Sequence, residues 1–325
     1  MTNYQVYKKT LSFSLVDFLV GLVALAIFVG CCTVGYIAAD GKGEGSALIG
    51  LLIGAVIGIL LTVAINYLVS YRIKAAQIAM ITKGVTEDEL SDHTFKAGFE
   101  EIKGRFTKIA LFFFVTNAIK SVFRQIGRGF NRVGTALGGQ VGDSITSAID
   151  SAIQSLIGYL CDCCLGWVLF RRDQNAASAA CEGAVIFFKH GKTLIRNVGR
   201  IFGMGAASFI LIGGAFFGAL YGIFTLVPNT FAILSNELIE IFANSDTGEI
   251  PEIVSNPLYL TLFIAGIGAI VLWSMVHSVL IRPFILVGVM RNFMAAGQAE
   301  MPTEADIIEL EKKAPKLAKL RNKSI

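Results

Sequence analysis

Four apolar runs constrain this chain more than anything else in it, because they are too long for a water-soluble fold. A helix that crosses a bilayer needs about 20 mostly apolar residues. Residues 13–39, 46–70, 201–227 and 258–281 each meet that length, and Asp17 is the one Asp, Glu, Lys or Arg within them. Two weaker runs follow the same pattern: 107–127, interrupted by Lys120 and Arg124, and 150–170, interrupted by Asp162. Together they predict an all-α, polytopic membrane protein with six transmembrane helices. Composition agrees, since 54% hydrophobic residues against 16% charged is outside the range of soluble domains. The run that follows Lys8 and Lys9 extends to Ala39, too long for the core of a cleaved signal, and reads as a retained first helix.

Orientation follows from where Lys and Arg collect. Arg72, Lys74, Lys83, Lys96, Lys103, Arg105 and Lys108 occupy one connection, Arg171, Arg172, Lys189, Lys192, Arg196 and Arg200 another, and the segment from Arg282 is similarly basic. Loop 228–257 has no Lys or Arg but carries Glu237, Glu240, Asp246, Glu249 and Glu252. Both termini are therefore expected in the cytoplasm, in a plasma or inner membrane. A net charge of only +4, gathered in these segments, gives no reason to expect nucleic-acid binding.

One segment resists that scheme. Alternation of six spans puts 128–149 outside, although Lys120, Arg124, Arg128 and Arg132 form a basic stripe at four-residue spacing. Such a stripe can lie in the headgroup zone and contact lipid phosphate, or it can face a watery cavity and favour anions.

The chain also repeats itself. Phe95, Lys96, Gly98, Ile102 and Lys103 match Phe188, Lys189, Gly191, Ile195 and Arg196 at one offset, each set just before an apolar run. Arg72, Arg171 and Arg282 each follow a second apolar run, and Thr86-Glu87-Asp88-Glu89 and Thr303-Glu304-Ala305-Asp306 both resemble capped helix starts. These features divide a single membrane domain into three pseudo-repeated hairpins, 1–106, 107–200 and 201–325, each followed by a cytoplasmic amphipathic helix. Gly50, Gly54 and Gly58, and likewise Gly214, Gly218 and Gly222, repeat a small residue every fourth position, which permits close helix crossings.

Chemistry is sparse. No phosphate-binding loop, HExxH or GxSxG occurs, so no enzyme and no cofactor are expected. Cys161-Asp162-Cys163-Cys164 contains metal-ligand types, but its helical geometry splits the thiols between faces and no second ligand pair accompanies it. Buried packing or S-acylation accounts for these cysteines without a metal. Ionisable groups at membrane depth are costly and usually functional. Asp162 and His277 stand out, and their depths would let them meet and carry a proton. Trp167 and Trp273 fall where an interfacial aromatic belt is expected; with Phe113 and Tyr221 they could instead form an aromatic cage for a cation.

Several short motifs, taken in order over about 71–300, resemble the choline transporter-like family. They are SYRIKAAQIAM after an apolar run, the cysteine-rich CDCCLGW, Gln174-Asn175-Ala176, Arg196-Asn197, and Arg291-Asn292 after the last hairpin. Members of that family are about twice as long, with a large loop after the first span that is only a few residues here. The resemblance implies transport of choline or a related amine with proton coupling, by a helical monomer or homo-oligomer. Two other functions fit the residues: a multimeric channel or lipid-interacting pore using Lys120, Arg124, Arg128 and Arg132, and a non-transporting scaffold whose amphipathic helices meet membrane lipids or a partner.

Overall fold

The structure, a computed structural model, describes residues 1–41, 43, 46–103, 117, 158–195, 198–243, 251–313 and 318. Among them every regular element is helical. In chain order these are α1 (Asn3–Ala39), α2 (Ser46–Ile65), α3 (Tyr71–Thr86), α4 (Thr94–Lys103), α5 (Gly158–Phe170 in its described part), α6 (Ala176–Ile195), α7 (Val198–Ser208), α8 (Gly214–Thr225), α9 (Pro228–Ala243), α10 (Glu252–Ser255), α11 (Pro257–Val276), α12 (Arg282–Ala299) and α13 (Glu304–Lys313). Five-residue π-helical turns at Asn66–Ser70, Phe209–Gly213 and His277–Ile281 join α2 to α3, α7 to α8 and α11 to α12.

Four of the resulting stretches are long and apolar enough to cross a membrane: Asn3–Ala39, Ser46–Thr86, Gly203–Thr225 and Pro257–Ala299. In the most apolar window of each, at most 17% of the residues are buried by the protein itself. The expected span 107–127 lies outside the described residues. Of 150–170, the described helix Gly158–Phe170 is shorter than a crossing requires.

The described residues group into two compact units. The first comprises 15–71 and 204–281 and holds most of the apolar runs. Its tightest packing is between α1 and α2. A Cβ on Gly35, Gly50 or Gly54 would overlap the facing backbone, so only hydrogen fits there. The ridge expected on the second span is thus used at backbone contact. Around Gly214, Gly218 and Gly222 on α8 no described atom lies within 4 Å of a Cβ position. The α1–α2 turn is closed by Gly41 at φ +75° and by the Ser46 hydroxyl, which donates to the Ala39 carbonyl at 2.7 Å. At the other hairpin Asn256 caps α11, accepting from the Leu258 N–H at 3.0 Å, with Pro257 at the first helical position. α8 and the Phe209–Gly213 turn pack along α11, and Gly21 of α1 meets Met275 of α11.

The second unit comprises 1–14, 72–203 and 282–325. It has an ordinary buried core: Phe13, Met80, Ile81, Leu160, Trp167, Ile186, Met290, Phe293 and Met294 are fully enclosed. Each such side chain contributes about 1.5–3 kcal/mol by burial. Phe13 stacks on Phe95 of α4, and Gln77 of α3 donates to the Ser14 hydroxyl at 2.7 Å. Asn175 caps α6, accepting from the Ala177 N–H at 2.7 Å. The matching segments around Phe95 and Phe188 are both helical here, on α4 and α6, though Arg196 is outside the described residues.

One expected helix start is corrected. Thr303 and Asp306 do cap α13 reciprocally, but α3 runs through to Thr86, whose hydroxyl donates back to the Thr82 carbonyl. The next helix begins only at Thr94. Ile78, Ile81 and the other buried residues of α3 keep the helix docked past the point where the local sequence offers a start.

Candidate functional site

Within the first unit, two π-helical turns bring polar groups together among apolar helices. Such turns insert an extra residue into the hydrogen-bond ladder and re-aim the side chains around it, which is why they recur at functional sites. Ser208 and Phe209 sit where α7 gives way to one turn, and His277 opens another. Trp273, one helical turn before His277, joins them. Its indole N–H donates to the Ser208 hydroxyl at 3.2 Å, while Ser208 donates to the Gly205 carbonyl at 2.8 Å. Phe209 meets the indole edge-on, with centroids 5.0 Å apart at 82°. The His277 ring lies 5.1 Å from it at 41°. The result is a pair of aromatic rings and an imidazole, oriented by one serine, between residues 203 and 225 and residues 257 and 281, where the sequence has no Asp, Glu, Lys or Arg.

The other expected cage residues are distributed differently. Tyr221 stacks on Phe217, one turn away on α8, at 6.2 Å and 9°. Phe113 lies outside the described residues, as do Lys120, Arg124, Arg128 and Arg132. Trp167 belongs to the second unit, where it is 0% exposed. Its N–H donates to Glu182 at 2.9 Å, and Glu182 also pairs with Arg171 at 3.2 Å. Arg171 in turn forms two hydrogen bonds with Asp173. The Asp173 hydrogen bond, aided by the Glu182 charge, holds the Arg171 guanidinium above its ordinary pKa, against the burial that works the other way.

Asp162 also finds its partner in the second unit. Arg282 reaches its carboxylate at 2.6 Å and lies 5.8 Å from the Tyr159 ring centroid. His277, by contrast, sits beside Trp273 in the first unit. Cys161, Cys163, Cys164 and Cys181 are buried and form no disulfide among the described residues, where no group of three His, Cys, Asp or Glu residues that could hold a metal occurs either.

Sequence reasoning missed Glu182, Ser208 and Phe209, and it marked Arg171 only as one of the basic residues after an apolar run. Glu182 offered a signal, a lone carboxylate inside the apolar run AASAACEGAVIFF, where a charge demands a partner. Ser208 and Phe209 offered none, because π-helical turns have no distinct composition. Neither family models, nor curated proteins, nor solved structures give a match to this chain.

Proposed function

We propose that this chain is an integral membrane protein with four crossings that carries a small organic cation of the choline type past the Trp273 cluster. Alternation over four crossings delivers segments 1–14, 72–203 and 282–325 to one side. These are the segments that make up the second compact unit, which supports four crossings over six. They hold the Lys and Arg excess, so that side, with both termini, is cytoplasmic. The basic stripe at 120–132 then joins the other basic connections, and its conflict with the charge rule disappears.

The observation that carries the transport reading is the packing of Trp273, Phe209 and His277 at two π-helical turns. A ring face attracts an ammonium group by roughly 0.5–2 kcal/mol, more when water is excluded. An imidazole beside it supplies a group able to exchange a proton. Uptake of labelled choline into proteoliposomes is the test. Trp273→Ala should lower the rate by about tenfold or more, on the scale of one lost cation–π partner, and His277→Ala should remove its pH dependence. Wild-type uptake no greater than that of empty liposomes would rule the reading out.

The second unit favours a further reading, a membrane-anchored scaffold, because it has an interior of its own quite apart from the apolar runs. A scaffold would show no uptake and would retain a stoichiometric partner through mild-detergent purification.

A further inference from the structure

The last described helix, α13, is held to α6 by an ion cluster with a gap in it. Lys189 of α6 places its ammonium 2.8 Å from Glu300, just beyond α12, and 2.9 Å from Asp306 on α13. The other Asp306 oxygen is committed to the helix cap, accepting from the Thr303 N–H and hydroxyl at 2.8 and 2.7 Å. The other Glu300 oxygen faces Nε2 of His190 at 3.6 Å, too far for a hydrogen bond. That nitrogen is buried and has no hydrogen-bond partner among the described residues.

Two carboxylates against one ammonium leave the cluster net negative. With a neutral His190 whose Nε2 carries no proton, a lone pair points at the carboxylate. An imidazolium removes that repulsion, supplies a donor aimed at Glu300 and balances the charge. Histidine is the residue type that changes charge within the physiological range. The remaining charged or titratable residues on elements packed against α6 are Arg291 on α12 and Glu304, Glu309, Glu311, Lys312 and Lys313 on α13; on α5 the Cys161, Cys163 and Cys164 thiols are buried, and Asp162 and Tyr159 are engaged with Arg282.

We propose that α13 is a pH-responsive strap, tightened onto α6 when His190 takes up a proton and completes the cluster with Lys189, Glu300 and Asp306. The strap covers apolar surface through Ile307 and Leu310, both buried, so loosening it at higher pH would uncover a patch on this unit. The device is independent of the Trp273 cluster and of any transport activity.

Hydrogen–deuterium exchange of the full chain in nanodiscs, at pH 5.5 and 7.5 with intrinsic rates corrected, tests it. Amides of residues 304–313 should be about two- to fivefold better protected at pH 5.5, the range of one partly exposed ion pair. His190→Gln should erase that difference. Glu300→Gln, which leaves every core side chain and the Lys189–Asp306 pair in place, should erase it too and decides the matter if the histidine variant unfolds the unit. Equal protection of the wild type at both pH values, or a difference that survives Glu300→Gln, would overturn the proposal.

Discussion

At the scale of single residues, the two tryptophans separate structure from function. Trp167 is enclosed and spends its one donor on Glu182, which is itself 7% exposed and shared with Arg171. Glu182→Ala removes the Trp167 acceptor and one carboxylate partner of Arg171, at a cost of about 2–4 kcal/mol. Trp167→Phe loses one hydrogen bond and some packing, about 1–2 kcal/mol, because Arg171 still satisfies the carboxylate. Thermal unfolding in detergent should order the two variants that way, and a Glu182→Ala midpoint equal to the wild type would remove the buried pair from the account. On the transport proposal, uptake per folded molecule should survive Trp167→Phe and fall about tenfold or more with Trp273→Ala. An isolated Trp between apolar residues carries no sign of which helix will cover it, and at Trp167 the cover comes from its own unit.

Among the elements, α1 and α2 make the most restrictive contact. Substituting leucine at Gly54 forces its side chain into the Cys31 carbonyl, and since backbone rather than a flexible side-chain tip is in the way, the helices must separate. Gly54→Leu should therefore destabilise the protein by about 3 kcal/mol or more, whereas Gly218→Leu, with no described atom near its Cβ position, should change the unfolding midpoint little. Both ridges had looked alike, since spacing shows that a helix can approach a neighbour but not which ridge is used. At α13, the Lys189 and Thr303 hydrogen bonds lower the Asp306 pKa to about 2, and Lys189 likewise holds Glu300 below the usual carboxylate range. A depressed carboxylate stabilises the docked helix above its unfolded pKa of 3.8 and loses that contribution as pH falls through about 2. Protection of α13 should consequently pass through a maximum, rising from pH 7.5 to 5.5 and falling again below about 4, with the acid limb weakened in Lys189→Met, which leaves only the Thr303 hydrogen bonds to lower the Asp306 pKa.

For the whole molecule, apolar side chains sort cleanly between the units. Large apolar residues on the surface belong to the unit formed by 15–71 and 204–281, apart from Tyr4, Phe284, Met301 and Ile308, while the largest fully enclosed side chains all belong to the other. Exposed apolar surface on that scale is tolerable only against lipid or protein. Four crossings make a topological prediction that six do not. Cysteines introduced by Arg128→Cys and Asp143→Cys should react with an impermeant maleimide only from the side that holds the N-terminus. Labelling of both from the opposite side would restore six crossings.

The four apolar runs and the Thr303–Asp306 cap were legible in the sequence because each depends on neighbours within a few turns: length and i to i+3 spacing. Tertiary structure alone decided where the isolated ionisable groups and tryptophans found partners. Arg282 and Asp162 are 120 positions apart, and Trp273 and Ser208 are 65 apart. Desolvation requires that a buried polar group find some partner, but which one it finds is set by the helix packing that brings distant segments together.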